Sequence, residues 1–243
     1  MMNGSGEHLP VLIVRLGTTP PPVKAECGTG DQWIGNGLGL PVHVVDPRKG
    51  EPLPAPDAIA GAVLTGSRSM VTDREPWSEY TAGWLRTLVE REVPVLGICF
   101  GHHLLAEAFG GGVGFHEGGR EVGTVTIRPT LEAAHDPLFG GLPAAFPAQA
   151  IHKQQVQRLP SEAVLLATGD FEPTQAYRLG SRAWGVQFHP EFSDRVMGSF
   201  IRALEPALQE EGLNTAALQA GLQPSPEAWS LLRRFAGLTA AER

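Results

Sequence analysis

The stretch Pro94-Val95-Leu96-Gly97-Ile98-Cys99-Phe100-Gly101-His102-His103-Leu104-Leu105 decides how this chain is read. Its first half is a dense apolar run with the character of a strand covered on both faces. After Cys99 the apolar residues Leu104, Leu105, Ala108 and Phe109 recur at helical spacing. The cysteine therefore stands at a strand-to-helix turn. Gly97 and Gly101 suit such a turn, because two backbones that close together leave no room for a Cβ. At a helix N-terminus, unsatisfied N–H groups and the helix dipole stabilise the negative charge of a thiolate, which makes this sulfur a candidate nucleophile. The competing reading is core filler, since cysteine is among the most buried residue types.

Outward from the turn, residues 11–16, 42–46 and 59–64 are further apolar, β-branched runs. The last of them stops at Thr65-Gly66-Ser67, at the strand end where open α/β sheets place ligands. Residues 75–90 read as a helix, with Pro76 in its first turn and Trp84, Leu85, Leu88 and Val89 as its apolar stripe. Strand, crossover helix and strand at this spacing imply a parallel sheet. Residues 18–39, rich in proline and glycine, read as irregular, with Trp33 and Ile34 as anchors and Cys27 as a bystander thiol.

Beyond Gly110-Gly111-Gly112 the pattern changes. Residues 122–127 and parts of 148–156 alternate apolar with small or polar residues, and 164–167, 174–178 and 183–188 continue a meander. Ser193 and Asp194 can cap a helix carrying Met197, Phe200, Ile201, Leu204 and Leu208. Residues 213–221 are a weaker helix, and one opened by Ser225-Pro226-Glu227 places Ala228, Leu231, Leu232 and Phe235 on one face, so the tail docks on the body. The expectation is a three-layer α/β/α sandwich with a flavodoxin-like, mostly parallel sheet, a nucleophile elbow and a small antiparallel layer. It is read as one domain over 1–243, with a C-terminal helical extension from about 205.

Composition excludes several classes. The chain of 243 residues is 42% hydrophobic and 19% charged, that of a soluble globular protein. A net charge of -7 with no basic run argues against nucleic acid. No apolar stretch approaches the ~18 residues of a membrane span, and residues 1–10 lack a basic segment followed by an apolar one, so a cytoplasmic location is expected. Two cysteines are too few for a disulfide scaffold. No phosphate loop of the G-x-x-x-x-G-K-[ST] type occurs, so no ATP and no other cofactor is expected. Cys99, His102, His103 and His189 lack the second ligand pair typical of structural zinc, so no metal is expected either.

Gly185-Val186-Gln187-Phe188-His189-Pro190-Glu191 supplies the other half of the chemistry. Pro190 holds His189 extended, and residues i and i+2 of an extended segment project to one side, so Glu191 can orient the imidazole and stabilise its charge. Cysteine, histidine and carboxylate form a nucleophile, base and orienter set.

With both motifs in view the sequence resembles the class I glutamine amidotransferases, the Cys-His-Glu triad family, and within it stand-alone proteins similar to the amidotransferase domain of GMP synthase. Gly97 to Gly101 and Gly185 to Glu191 carry the resemblance. Weaker matches are Thr65-Gly66-Ser67, Glu121-Val122-Gly123, Asp136-Pro137-Leu138-Phe139 and His152 to Pro160. The resemblance implies Cys99, His189 and Glu191 as catalytic residues, and the backbone N–H groups of Gly66 and Phe100 as the oxyanion hole. Ser67, His103, His152 and Gln154 would be substrate contacts. It further implies release of ammonia and glutamate from glutamine through a Cys99 thioester, with any ammonia-consuming synthase on a separate polypeptide. Two positions depart from the family pattern: His103 stands where the family usually has glutamine, and Gln154 where it has an acidic residue. Both touch substrate recognition, so three readings stand: a glutaminase, a γ-glutamyl hydrolase or peptidase, and a non-catalytic binding or regulatory member of the fold.

Overall fold

The computed structural model describes residues 9–240, so the reading of the first eight residues as lacking a leader lies outside the described residues. The strands are β1 (Val11–Val14), β2 (Val42–Val45), β3 (Gly61–Leu64), β4 (Val95–Ile98), β5 (Gly112–Phe115), β6 (Glu121–Pro129), β7 (Phe146–His152), β8 (Gln154–Arg158), β9 (Ala163–Thr168), β10 (Ala176–Leu179) and β11 (Ala183–Val186). The helices are α1 (Pro21–Cys27), α2 (Gly30–Leu38), α3 (Pro76–Glu90), α4 (Phe100–Ala108), α5 (Asp194–Ala203), α6 (Glu205–Glu210), α7 (Thr215–Ala220) and α8 (Pro226–Ala240).

One nine-stranded sheet runs in the order β2-β1-β3-β4-β11-β10-β9-β6-β7. From β2 to β11 every pairing is parallel, and from β11 to β7 every pairing is antiparallel. The meander read from the sequence is therefore a continuation of the main sheet. The separate antiparallel element is the β5–β8 ribbon, whose β5 half follows the glycine run and carries too few apolar residues to announce itself.

Period-2 alternation explains the three layers. Val11, Ile13, Val63, Leu96 and Ile98 point into one core, roofed by α2 and α8. Leu12, Val14, Ala62, Leu64 and Val95 point into the other, roofed by α3 and α4. Strands covered on both faces must be apolar throughout, which is why these runs are uninterrupted. In α8, Ala228, Leu231, Leu232 and Phe235 are fully buried, so the tail belongs to the first core.

Residues 18–39 fold as two helices where the sequence reads as irregular. Proline sits at the start of α1, where its missing N–H costs nothing, and Thr29 with Gln32 forms a capping box on α2. Glycine weakens α2 locally, but burial of Trp33, Ile34 and Leu38 overrides propensity. The helix expected to run through Leu204 and Leu208 instead breaks at Leu204, with Pro206 in the first turn of α6. Ser193 caps α5 as expected, its hydroxyl accepting from the Val196 N–H.

Candidate active site

The site forms at the carboxyl ends of β1, β3, β4 and β11, beside the point where the parallel strand order reverses around β1. Cys99 follows β4 directly at φ 50° and ψ -99°, a conformation that L residues rarely adopt, and it opens α4. The two glycines of the turn answer to close approaches: a Cβ on Gly97 would lie 2.5 Å from the Gly101 carbonyl oxygen, and one on Gly101 would lie 2.7 Å from that of Leu64.

Strand register brings the second half to the first. β11 pairs with β4 in parallel, Val186 opposite Ile98, and the Cys99 N–H donates to the Val186 carbonyl at 2.9 Å. The residues after β11 thus rise beside the elbow. Hydrogen bonds from Gln187 N–H to the Gln175 carbonyl and from His189 N–H to the Gln149 carbonyl fix their path. His189 and Cys99 meet over Gly66, where a Cβ would lie 2.8 Å from His189 Cε1 and 3.5 Å from Cys99 Cβ.

His189 Nδ1 pairs with Glu191 Oε1 at 2.8 Å, and both residues are almost completely buried. Burial alone would push the imidazole pKa down. The charges and hydrogen bonds of Glu191 and Cys99 outweigh it and hold His189 at about 10, so it is an imidazolium at neutral pH. Phe192 stacks on the ring at 4.1 Å and restricts its rotation. The N–H groups of Gly66 and Phe100 donate to no partner among the described residues. Thr65 steadies the Gly66 loop by accepting from Leu16 N–H and donating to the Gly66 carbonyl. A sulfur nucleophile, an imidazole paired with a carboxylate and two free donors in one place are the parts that acyl transfer requires.

Cys99, Phe100, Gly66, Ser67, His103, His152, Gln154, His189 and Glu191, all named from the sequence, line one cavity of about 510 Å³. The four expected substrate contacts differ in what they offer. Ser67 is half-buried, its hydroxyl accepting from Ser69 N–H. His103 is buried against Gln187 at 2.6 Å, and burial with the neighbouring His152 holds it neutral, near pKa 3. His152 is clamped between Glu121 and the Gln154 carbonyl. The Gln154 side chain accepts from Val71 N–H and donates to the Thr72 hydroxyl. His152 and Gln154 thus brace the cavity wall, and a direct bond from the Gln154 amide to substrate competes with its tie to residues 71–73.

Sequence reasoning passed over Gly17, Gln149, Ile151 and Phe192, and gave Thr65 no role beyond its place beside Gly66. Gly17 is required because a Cβ there would lie 2.5 Å from the Gly66 carbonyl oxygen, and Ile151 offers its carbonyl to the Cys99 thiol at 3.8 Å. Most of these act through backbone atoms, which leave no side-chain signal. Phe192, adjacent to Glu191, was the one that could have been found. Among the described residues no group of three or more His, Cys, Asp or Glu side chains is placed to hold a metal ion, and no helix is long and apolar enough to cross a membrane.

An α/β sheet with an elbow cysteine and a buried His–Glu pair at its carboxyl edge defines a cysteine-dependent amidohydrolase. The chain belongs to the class I glutamine amidotransferase family, whose model matches residues 38–205. A glutamine-hydrolysing GMP synthase subunit from Methanopyrus kandleri is 35% identical over 158 residues, covering 63% of this chain and 78% of the relative. γ-Glutamyl peptidase 5 from Arabidopsis thaliana is 27% identical over 181 residues, 72% of each chain. A glutamine amidotransferase from Thermotoga maritima shares the fold with a TM-score of 0.77 at 21% identity, over 96% of this chain and all of that one.

Proposed function

We propose that the chain hydrolyses the γ-amide of a γ-glutamyl compound, glutamine being the simplest, through a thioester on Cys99. The observation that carries this reading is the meeting of the elbow sulfur, the His189–Glu191 pair and the free N–H groups of Gly66 and Phe100 in one cavity. The thiolate attacks the γ-carbonyl carbon, and the oxyanion is held by the two N–H groups. The C–N bond then breaks as His189 gives its proton to the departing nitrogen. His189 next takes a proton from water, which attacks the thioester to release glutamate and restore the sulfur. Glu191 keeps the imidazole oriented and its charge balanced throughout.

With glutamine the nitrogen leaves as ammonia. Relatives named as glutamine-hydrolysing GMP synthase subunits support a role beside a separate synthase polypeptide that consumes it. A second reading, hydrolysis of a larger γ-glutamyl substrate, is favoured by His103 and Gln154, which replace the family's usual residues at two positions lining the cavity. The test is release of glutamate, with ammonia where glutamine is offered, by purified protein and by Cys99→Ala. Release by the first and not the second supports the reading, and equal release by both overturns it.

A further inference from the structure

The cavity is larger than glutamine needs. At about 510 Å³ it falls in the range of sites for drug-sized ligands, whereas glutamine has only about ten non-hydrogen atoms. The surplus has a direction. A departing nitrogen must come within hydrogen-bond reach of the His189 ring to receive its proton, so any group carried on that nitrogen continues past His189. There the wall is aromatic: Phe192 stacks on His189, Phe200 lies 4.9 Å from Phe192, and Trp33 meets Phe192 edge-on at 5.4 Å. Leu204 and Ala207 extend the apolar surface.

The rim of the same space is cationic, in a chain whose net charge is -7. Arg15 is paired with Asp31, and Arg120 and Lys153 share Glu211. Lys24 and Arg68 have no ion-pair partner among the described residues. Lys24 lies on α1, next to Val23, which packs in the cluster of Trp33 and Phe192. Arg68 follows the Gly66–Ser67 loop. Of the outer wall, Lys24, Trp33 and Ala207 lie outside residues 38–205 that match the family, whereas Phe192, Phe200 and Leu204 lie within them.

We propose that this space is a leaving-group subsite, and that the preferred substrates are γ-glutamyl peptides whose second residue is apolar and carries a free carboxylate. The apolar side chain packs on Trp33, Phe192 and Phe200, Lys24 holds the leaving residue's carboxylate, and Arg68 takes the α-carboxylate of the glutamyl group. The chemistry is unchanged: the γ-C–N bond breaks, the leaving amino acid departs with the proton from His189, and water releases glutamate. The proposal rests on the Cys99 hydrolase reading and specifies its substrate.

The purified protein is assayed for glutamate release from glutamine, γ-glutamylphenylalanine and γ-glutamylphenylethylamine, the last lacking the leaving-group carboxylate. The expected kcat/KM for γ-glutamylphenylalanine exceeds that for glutamine at least tenfold, and loss of the carboxylate removes about threefold to tenfold of it. Lys24→Ala, at an exposed position that does not threaten folding, lowers the ratio of phenylalanine to phenylethylamine compounds toward one. Trp33→Phe lowers the ratio of γ-glutamylphenylalanine to glutamine. Glutamine hydrolysis that needs Cys99 but shows no preference for the peptides, or a ratio untouched by Lys24→Ala, overturns the subsite and leaves the hydrolase reading standing. No hydrolysis of any of the three overturns both.

Discussion

The inner and outer halves of the cavity are built on different terms. The inner half, with Cys99, Gly66 and His189, is fixed by the register of β3, β4 and β11, three parallel strands buried on both faces. The outer half, with Lys24, Trp33, Phe200 and Ala207, is made of side chains on α1, α2, α5 and α6, helices whose cluster also takes in Val122 of β6 and Ile151 of β7. A hydrogen-bonded register places atoms tightly and tolerates little change. Packed helix surfaces accept substitution at modest cost, so they are where the shape of a leaving group can be read while the chemistry stays constant.

Changes to the inner half should cost most. Cys99→Ala removes the nucleophile and is expected to lower kcat/KM on the order of 10⁴-fold, measured as glutamate release. Gly66→Ala puts a Cβ 2.8 Å from His189 Cε1 and disturbs one oxyanion donor, for an expected loss of about 10²-fold in kcat. A variant near wild-type rate would remove Gly66 from the site.

Glu191→Gln separates positioning from chemistry. With Glu191 and Cys99 holding His189 at about 10, the acid that serves the leaving group stays protonated across neutral pH, and activity falls on the alkaline side as that proton is lost. Removing the carboxylate lowers the imidazole pKa, so the alkaline limb of the kcat/KM profile moves to lower pH and the peak rate drops about 10²-fold. A limb that stays in place would separate Glu191 from the titration of His189. The same raised imidazole pKa contributes stability that is fully present below its ordinary value near 6.5 and is lost as pH rises toward 10.

The smallest effect is one of stability, in the antiparallel half. Glu172 is buried, with Thr174 N–H on one oxygen, and burial with the nearby Glu121 raises its pKa to about 8. The unfolded chain gives up this proton near pH 4.5 and the folded chain retains it until about 8, so folding stability declines across that interval. Glu172→Gln should flatten the decline and gain roughly 1–3 kcal/mol at pH 8.5 in urea unfolding. A variant with the wild-type slope would show that Glu172 is already ionised in the fold.

What could be read from the sequence divides along the same line. The elbow, the strand before Gly66 and the His189–Glu191 pair are visible because buried parallel strands must be apolar throughout and a sharp turn must have glycine. The outer wall is not, because residues 18–39 look like a loop by composition and become two helices only when Trp33 and Ile34 are buried against α5 and α8. His103 and Gln154 were visible as substitutions, but their partners Gln187, Val71 and Thr72 lie far away in sequence. The division of the sheet into parallel and antiparallel halves was equally hidden, since alternation marks a strand without saying which neighbour it pairs with.

Because the chain holds two cysteines, Cys27 and Cys99, covalent labelling tests the central claim directly. The protein is treated with a diazoketone analogue of glutamine, its diazomethyl carbon in place of the amide nitrogen, and the modified peptide is mapped by mass spectrometry. One label per chain on the peptide containing Cys99, coincident with loss of hydrolysis and slowed by γ-glutamylphenylalanine, is the expected result. A label on Cys27 alone, or full modification of Cys99 with hydrolysis intact, would contradict the assignment of Cys99 as the nucleophile.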